Sequence, residues 1–199
     1  DIFAILTALC WSSGVIFFHV SGRILGSLQI STLKNIIGVI GFIGFLVVQR
    51  NEFPVFTHHE IWIMVISGTL GVAVGDLLFL SSLRRLGAGL NAIVSTSYSP
   101  TIFLLAFFMF GEIISLQAYC GGALVIAGIV IGTIEIPKNR SRGDISRGVI
   151  YGFSAQALTA FSVLLLKPIM EVHPVVPIAL VRFLTGAVLS IGFLVFTKG

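Results

Sequence analysis

The chain has 199 residues, of which 56% are hydrophobic and only 10% are charged, and its mean hydropathy is +1.08. A soluble domain of this length has too little interior to hide so much apolar surface, whereas a bilayer removes that requirement. The composition therefore predicts an all-α integral membrane protein with the lipid bilayer as its partner. The net charge is +4, but the basic residues gather at the ends of apolar runs, which favours a membrane topology signal over a nucleic-acid surface.

Seven mainly apolar runs follow one another along the chain, separated by short polar connections. Each has about 17–25 residues, the length that a helix needs to cross about 30 Å of hydrocarbon. The predicted spans are 2–20, 30–49, 60–83, 88–110, 116–136, 148–167 and 175–196. The chain begins without Met and ends just after an apolar run, so we expect it to be a fragment at both ends.

The sequence matches itself when it is shifted by 148 residues. The matching positions are Lys34 with Arg182, Gly38 with Gly186, and GFLV at 44–47 with GFLV at 192–195. This predicts a first repeat of five spans over 1–136, an inter-repeat loop over 137–147, and the start of a second repeat over 148–199. A repeat of five spans ends on the opposite side of the membrane from its start, so the second copy is inverted, as in many secondary transporters.

Asp76 lies inside the third predicted span. An ionisable side chain at membrane depth costs several kcal/mol unless it faces a cavity or a partner, so Asp76 is a candidate for ion coupling. An alternative reading stays open, in which its carboxylate reaches water near the end of the span or pairs with Arg84 or Arg85. His19, near the end of the first span, is a second candidate for ion coupling, although a histidine there is more often solvated.

A polar stripe follows one face of the fourth predicted span. Asn91, Ser95, Tyr98 and Ser99 recur at steps of three and four residues, and Pro100 follows directly. Proline removes one hydrogen bond of the helix and leaves carbonyl groups free to line a site. Hydrogen bonding between helices is the alternative explanation of such a stripe.

Three further residues complete the set of candidate substrate contacts. Trp11 and Ser12 lie near the middle of the first span, and Gln156 lies on a polar face of the sixth. A mid-span tryptophan can form a stacking wall for an organic substrate, although packing between helices is the commoner use. The substrate-binding set predicted here is Trp11, Ser12, Asn91, Ser95, Tyr98, Pro100 and Gln156.

The sequence lacks the motifs that would indicate an enzyme. No Walker A loop and no G-x-S-x-G sequence occur, and His58-His59-Glu60 lacks the second histidine of H-E-x-x-H. Cys10 and Cys120 lie in apolar runs without ligand spacing, so we expect buried thiols with neither a disulfide nor a metal. We expect no enzyme, no cofactor and no metal site.

These features together resemble the EamA branch of the drug/metabolite transporter superfamily. The residues that carry the resemblance are Trp11-Ser12-Ser13 followed by Lys34, with Arg182 in the second repeat, Pro100 followed by Gly111-Glu112, and Gly121 and Gly128 of the fifth span. Members are typically ten-helix proteins made of two inverted five-helix repeats, so the resemblance implies that about seven of ten helices are present. It also implies structural roles for Lys34 and Arg182, for the Gly111-Glu112 corner and for the glycine spine. A carboxylate at that corner can satisfy the free amides at the start of the next helix.

The resemblance implies a secondary transporter that moves a small organic metabolite or drug across the inner or plasma membrane by alternating access. Proton coupling is one alternative for its driving force, and a homodimer is left open. A hypothesis from another class is a non-transporting membrane scaffold or assembly subunit, in which the stripe would be buried against protein with no cavity of solvent size. The orientation stays open, because the count of basic residues places residue 1 outside while family members generally have a cytoplasmic N-terminus.

Overall fold

The fold is a bundle of helices. A computed structural model describes residues 2–50, 53–111, 113, 115–134 and 141–198, and every regular element in these ranges is helical. The elements are α1 (Ile2–Ser21), α2 (Ser27–Gln49), α3 (His58–Ser67), a π-helical segment (Gly68–Gly75), α4 (Asp76–Ser95), α5 (Tyr98–Phe110), α6 (Leu116–Ile134), α7 (Arg142–Leu164), α8 (Lys167–Met170) and α9 (Val175–Lys198). The all-α class predicted from composition is confirmed.

The third and fourth predicted spans meet at Gly87. Gly87 inside α4 has φ 77° and ψ 171°, which is not a helical conformation, so two helical arms meet at a kink there and the chain changes direction within that element. Glycine adopts a positive φ without the steric cost that a Cβ would add. The corner therefore falls inside the connection predicted between residues 83 and 88.

The fourth predicted span is interrupted close to Pro100. α4 ends at Ser95 and α5 begins at Tyr98, so Pro100 lies in the first turn of α5. Proline has no amide hydrogen, which leaves the carbonyl of Thr96 without its helical donor at that position. The break in this span was thus predictable from the position of Pro100 in the sequence. It lies between Ser95 and Tyr98, which both belong to the polar stripe.

The start of α7 differs from the prediction. Residues 142–147, predicted as part of the inter-repeat loop, form the first turns of this helix. The physical reason is a local cap, because the hydroxyl of Ser141 accepts the amide hydrogen of Asp144 at 3.1 Å. The Asp144 carboxylate also pairs with Arg85 at 3.1 Å. Residues 137–140 of the predicted loop lie outside the described residues.

Four helical segments among the described residues are long and apolar enough to cross a membrane. They are Ile2–Ser21, Ser27–Gln49, His58–Ser95 and Val175–Thr197, while α5 and α6 contribute shorter apolar stretches. α7 is long but more polar, and its buried residues, including Gln156 and Ser162, face the neighbouring helices. A helix surrounded by protein needs no continuous apolar surface. The count of seven crossings stays a prediction.

The π-helical segment packs closely on α7 and α9 because it presents glycines to them. A Cβ at Gly71 would lie 2.2 Å from the hydroxyl oxygen of Ser162 and 3.0 Å from Nη2 of Arg182. A Cβ at Gly68 would lie 2.9 Å from the carbonyl oxygen of Arg182. Only a residue without a side chain fits at such distances, so these glycines allow the close packing of the helices.

α2 and α9, which correspond under the shift of 148 residues, also pack on each other. A Cβ at Gly38 would meet the ring of Phe183 at 2.5 Å, and a Cβ at Gly186 would meet Nδ2 of Asn35 at 3.0 Å. The shift pairs Gly38 with Gly186 and Asn35 with Phe183, so these two contacts are reciprocal. The two glycines thus let α2 and α9 approach each other closely.

α1 lies on the outside of the bundle and packs chiefly on α4. No described residue of α1 is buried. Cys10 is therefore exposed, and Cys120 on α6 is exposed as well, which corrects the expectation that both thiols are buried. The reason is that each lies on an apolar helix face that no described helix covers, where lipid takes the place of protein contacts.

Candidate functional site

A cavity of about 320 Å³ opens between α1, α4, α5 and α7. Its lining residues are Trp11, Asp76, Phe79, Ser95, Tyr98, Gln156 and Thr159. Five of them belong to the set predicted from the sequence: Trp11, Asp76, Ser95, Tyr98 and Gln156. The structure therefore brings together residues that lie as much as 145 positions apart in the chain. Their roles as substrate or ion contacts stay predictions.

A second lobe of about 210 Å³ adjoins the first and shares Trp11, Asp76, Phe79 and Thr159 with it. We call it the charged lobe, because Lys34 from α2 and Arg182 from α9 also line it. The two basic residues are the pair that the internal shift aligns. They converge on the same space because α2 and α9 pack side by side.

Lys34 and Asp76 form an ion pair inside the charged lobe, and each side chain is 23% exposed. The Lys34 ammonium also lies 5.0 Å from the centre of the Phe183 ring, within the range of a cation–π contact. The reading in which Asp76 pairs with Arg84 or Arg85 is wrong. Those arginines lie about two helical turns away, and Arg85 pairs with Asp144 instead.

Arg182 brings a second cation into the charged lobe. Its Nη2 donates a hydrogen bond to the hydroxyl of Ser162 at 3.1 Å. Its Nε is buried and has no acceptor among the described residues. Gly71 makes room for this guanidinium, because a Cβ there would lie 3.0 Å from Nη2. The charged lobe thus combines two basic side chains with one carboxylate.

Aromatic rings form one wall shared by both lobes. The rings of Trp11 and Phe79 lie 5.9 Å apart between centroids and are tilted by 45°. Phe79 is buried, whereas Trp11 is 60% exposed, so the cavity is open on the side of α1. This arrangement offers an aromatic surface to an organic molecule at the mouth of the cavity.

Asn91 differs from the rest of the polar stripe because it is buried and bonded to protein. Its side-chain amide lies 2.8 Å from the Ser82 hydroxyl, which also lies 2.8 Å from the carbonyl oxygen of Gly148. The Ser82 hydroxyl has one hydrogen to donate, and Oδ1 of Asn91 and the carbonyl oxygen of Gly148 are its two acceptors. Ser82 and Asn91 lie on either side of the Gly87 corner in α4, so the Asn91 bond stays within α4 and Ser82 makes the link to α7. Ser95 and Tyr98 line the cavity.

The protein family and the relative that this chain resembles are both described as transporters. The family model of the EamA-like transporter family matches residues 1–134. The chain belongs to the EamA-like transporter family. An uncharacterized transporter of Archaeoglobus fulgidus is 24% identical over 188 residues, which cover 94% of this chain. The chain spans 65% of the length of that relative. No solved structure matches the chain.

Besides Asn91, three predicted site residues of this EamA chain lie outside both lobes. Ser12 is exposed and donates to the carbonyl of Leu9 at 3.0 Å, and it lines an outer groove of about 470 Å³ between α1 and α4. Pro100 lies against Gly122 of α6. His19 lies near the end of α1, about two turns beyond Trp11.

The structural motif of the EamA chain is placed only in part. Gly111 ends α5 with φ 66°, a left-handed cap that favours glycine. Glu112, the second residue of that corner, lies outside the described residues. Gly121 and Gly128 are exposed, and a Cβ at either would meet no described atom within 4 Å. The close helix contact of α6 is made instead by Gly122, where a Cβ would lie 3.3 Å from Pro100.

Sequence reasoning missed Phe79 and the pairing of Lys34 with Asp76. A signal for the pairing was present, because Lys34 and Arg182 both lie within apolar spans of the EamA chain and basic groups at that depth require a counter-charge. Phe79 gives no such signal, since one phenylalanine in an apolar helix resembles any other. Among the described residues, no group of three or more His, Cys, Asp or Glu side chains could hold a metal ion.

Proposed function

We propose that the whole protein is a secondary transporter that moves a small organic metabolite or drug across the inner or plasma membrane by alternating access. Family membership supports a transporter role in general. The observation that carries the finer proposal is the cavity of about 320 Å³, which combines an aromatic wall with polar side chains and adjoins the partly buried ion pair of Lys34 and Asp76. Its volume lies within the range of about 300–1,000 Å³ that is usual for small-molecule sites.

The depth of the cavity supports transport. Lys34 is seven residues from the start of α2, and Asp76 is eleven residues before the Gly87 corner. At 1.5 Å per residue, both side chains lie roughly 10–17 Å from one end of the bundle. This is close to the middle of a hydrocarbon layer about 30 Å thick. Secondary transporters typically hold their substrate at that depth, between two repeats.

The inverted repeat is part of the proposal. Residues 1–136 form the first repeat and residues 148–199 form the start of the second. The reciprocal contacts between α2 and α9 support it. The shift of 148 residues also pairs Trp11 with Thr159, and both residues line the same cavity. Two halves related in this way can expose one site alternately to each side of the membrane.

Asp76 is the residue to which we assign ion coupling. Its carboxylate faces the cavity and forms an ion pair with Lys34. Protonation of the carboxylate would break that pair and free the lysine, which gives a proton a direct effect on the charge inside the cavity. His19 lines neither lobe, so the proposal assigns no coupling role to it.

The scaffold hypothesis predicts a stripe buried against protein and no cavity of solvent size. Asn91 fits that description, since it is 1% exposed and bonded to Ser82. Ser95 and Tyr98 do not, because both line the cavity together with Trp11 and Gln156. The cavity therefore favours the transporter.

Solute flux into proteoliposomes that contain the full-length protein tests the proposal. Amino acids, organic acids, nucleobases and cationic drugs are screened with and without a pH gradient. We expect saturable flux of at least one class that follows the gradient, and we expect Asp76→Asn to lose the dependence on the gradient. Asp144→Asn is the matched control, because it removes a carboxylate that pairs with Arg85 on the surface.

Two outcomes would contradict the proposal. No saturable flux for any class would transfer support to the scaffold hypothesis. Flux that depends equally on the gradient in Asp76→Asn and in the unchanged protein would remove Asp76 from the coupling step while leaving the transport function standing.

A further inference from the structure

The charged lobe carries one more positive than negative side chain among the described residues. Lys34 and Asp76 neutralise each other as an ion pair. Arg182 lines the same lobe, and the one hydrogen bond that it donates goes to the neutral hydroxyl of Ser162. The lobe therefore has a formal charge of +1 when it is empty.

The guanidinium of Arg182 also has unused hydrogen-bonding capacity. A guanidinium carries five N–H donors in a fixed planar array. Nη2 donates to Ser162, and Nη1 has no acceptor among the described residues. Nε is buried beyond the reach of a ligand in the lobe, so a bound carboxylate would accept from the remaining hydrogens of Nη1 and Nη2 and gain the energy of a charged hydrogen bond.

The other residues that line the two lobes indicate the chemistry of the rest of the ligand. Phe18, Phe79 and Phe183 line the charged lobe together with Trp11. The wider lobe beside it shares the rings of Trp11 and Phe79, and its other lining residues are Asp76, Ser95, Tyr98, Gln156 and Thr159. An apolar or aromatic body would therefore contact rings, while a single negative group would face the guanidinium. A cationic drug would meet the unneutralised charge of Arg182 at the same depth, where few water molecules screen it.

We propose that the cavity selects small organic monoanions, with the carboxylate bound to Arg182 and the apolar body against Trp11 and Phe79. This inference rests on the proposed transport function and names the substrate class of that site. Asp76 acts as a built-in counter-ion for Lys34 and holds the charge of the empty lobe at +1. One bound monoanion then brings the lobe to neutrality. Arg182 is the specificity-determining residue, because it gives the lobe its unpaired charge.

Ligand binding to the full-length protein in phosphatidylcholine nanodiscs tests this inference by calorimetry at fixed chloride concentration. The probes are three pairs that differ only in charge: benzoate with benzamide, hexanoate with hexanamide, and 3-phenylpropanoate with its amide. The measured quantity is the ratio of Kd for the amide to Kd for the carboxylate. We expect a ratio of roughly ten or more for at least one pair, the usual gain of a charged hydrogen bond.

Four variants relate that ratio to the charge of the lobe. Arg182→Gln removes the surplus charge, so its ratio falls to about one, while Arg182→Lys keeps the charge and retains part of the preference. Asp76→Asn raises the lobe to a formal charge of +2, so its ratio exceeds that of the unchanged protein. Loss of folding cannot produce such a gain. Arg85→Gln removes a cation outside the cavity and keeps the original ratio.

The inference is overturned if no pair shows a preference for the carboxylate, if Arg182→Gln keeps the preference, or if Asp76→Asn fails to raise it. Its failure is distinguishable from failure of the proposed function. Saturable flux of neutral or cationic solutes without carboxylate preference would leave a transporter with a different substrate. Carboxylate-selective binding without flux would support the anion site and contradict transport.

Discussion

At the scale of single residues, the polar stripe of the fourth span divides into side chains that face the cavity and one that bonds across the Gly87 corner. Asn91 is buried and accepts a hydrogen bond from Ser82, which also donates to the Gly148 carbonyl. Ser95 lines the cavity and donates to the carbonyl of Asn91 within its own helix. The two neighbouring polar residues therefore differ in what their removal would change.

We expect Asn91→Ala to lower the free energy of unfolding by about 1–3 kcal/mol, because the bond to Ser82 is lost inside a dry interface. Ser95→Ala is the control and should change stability by less than about 1 kcal/mol, since its hydroxyl bonds to its own helix. Equilibrium unfolding of the full-length protein in mixed micelles measures both. Equal stabilities for the two variants would mean that the bond between Asn91 and Ser82 across the Gly87 corner contributes no net stability.

The common face of Ser95 and Tyr98 was predictable from sequence because helical geometry continues between them. Ser95 ends α4 and Tyr98 begins α5, but Thr96 and Ser97 keep right-handed helical dihedrals, so both side chains point to the same cavity. The pairing of Lys34 with Asp76 was missed because it depends on how α2 and α4 are rotated toward each other. The π-helical segment before Asp76 adds to the difficulty, since its wider turns change the direction in which Asp76 points.

At the scale of elements, the glycines of the π-helical segment set how closely it approaches α7 and α9. We expect Gly71→Ala to lower the free energy of unfolding by about 1–2 kcal/mol. The added methyl group would lie 2.2 Å from the Ser162 hydroxyl and 3.0 Å from the Arg182 guanidinium, so both must shift. Overpacking costs about 1–3 kcal/mol, which exceeds the helix propensity gained from alanine.

Gly41→Ala in α2 is the matched control for that variant. A Cβ at Gly41 would meet no described atom within 4 Å, so alanine should leave stability unchanged or raise it by up to about 1 kcal/mol. Unfolding midpoints in the same detergent compare the two. If Gly71→Ala is as stable as Gly41→Ala, α7 can move away from the π-helical segment at no cost.

Helix boundaries were predictable from sequence to the extent that their caps were recognised. The start of α3 is fixed by a capping box, in which Thr57 accepts from the amide of Glu60 and Glu60 accepts from the amide of Thr57. The sequence T-H-H-E carries that signature, yet the predicted span begins at residue 60. The Ser141 cap of α7 was likewise unused, and that helix begins at Arg142 instead of at residue 148. The starts of these two helices are therefore set by local hydrogen bonds, which a prediction from hydrophobicity alone does not detect.

At the scale of the whole molecule, contacts between connections indicate which ends of the helices lie together. Gly22 lies beside Arg84, where a Cβ would be 3.4 Å from the arginine Cγ, and Arg85 pairs with Asp144. At the opposite ends, Glu60 lies 3.1 Å from His173. The connections next to Gly22, Arg84 and Asp144 therefore lie at one end of the bundle, and those next to Glu60 and His173 lie at the other. Length and composition alone identify four crossing segments, because charged residues at the start of α7 lower its hydropathy and the fourth predicted span is divided between α4 and α5.

Seven crossings predict the sidedness of single cysteines introduced after Cys10 and Cys120 are replaced by alanine. Arg84→Cys and Gly143→Cys lie at one end of the bundle, and His58→Cys and Glu171→Cys lie at the other. All four positions are exposed, so an impermeant maleimide can reach them wherever they face water. In sealed vesicles, we expect the first two to react from one side only and the last two from the other side only, with all four reacting after permeabilisation. Because α7 links Gly143 to Glu171, reaction of both from the same side would show that α7 does not cross, and the inverted repeat would then lose its geometric basis.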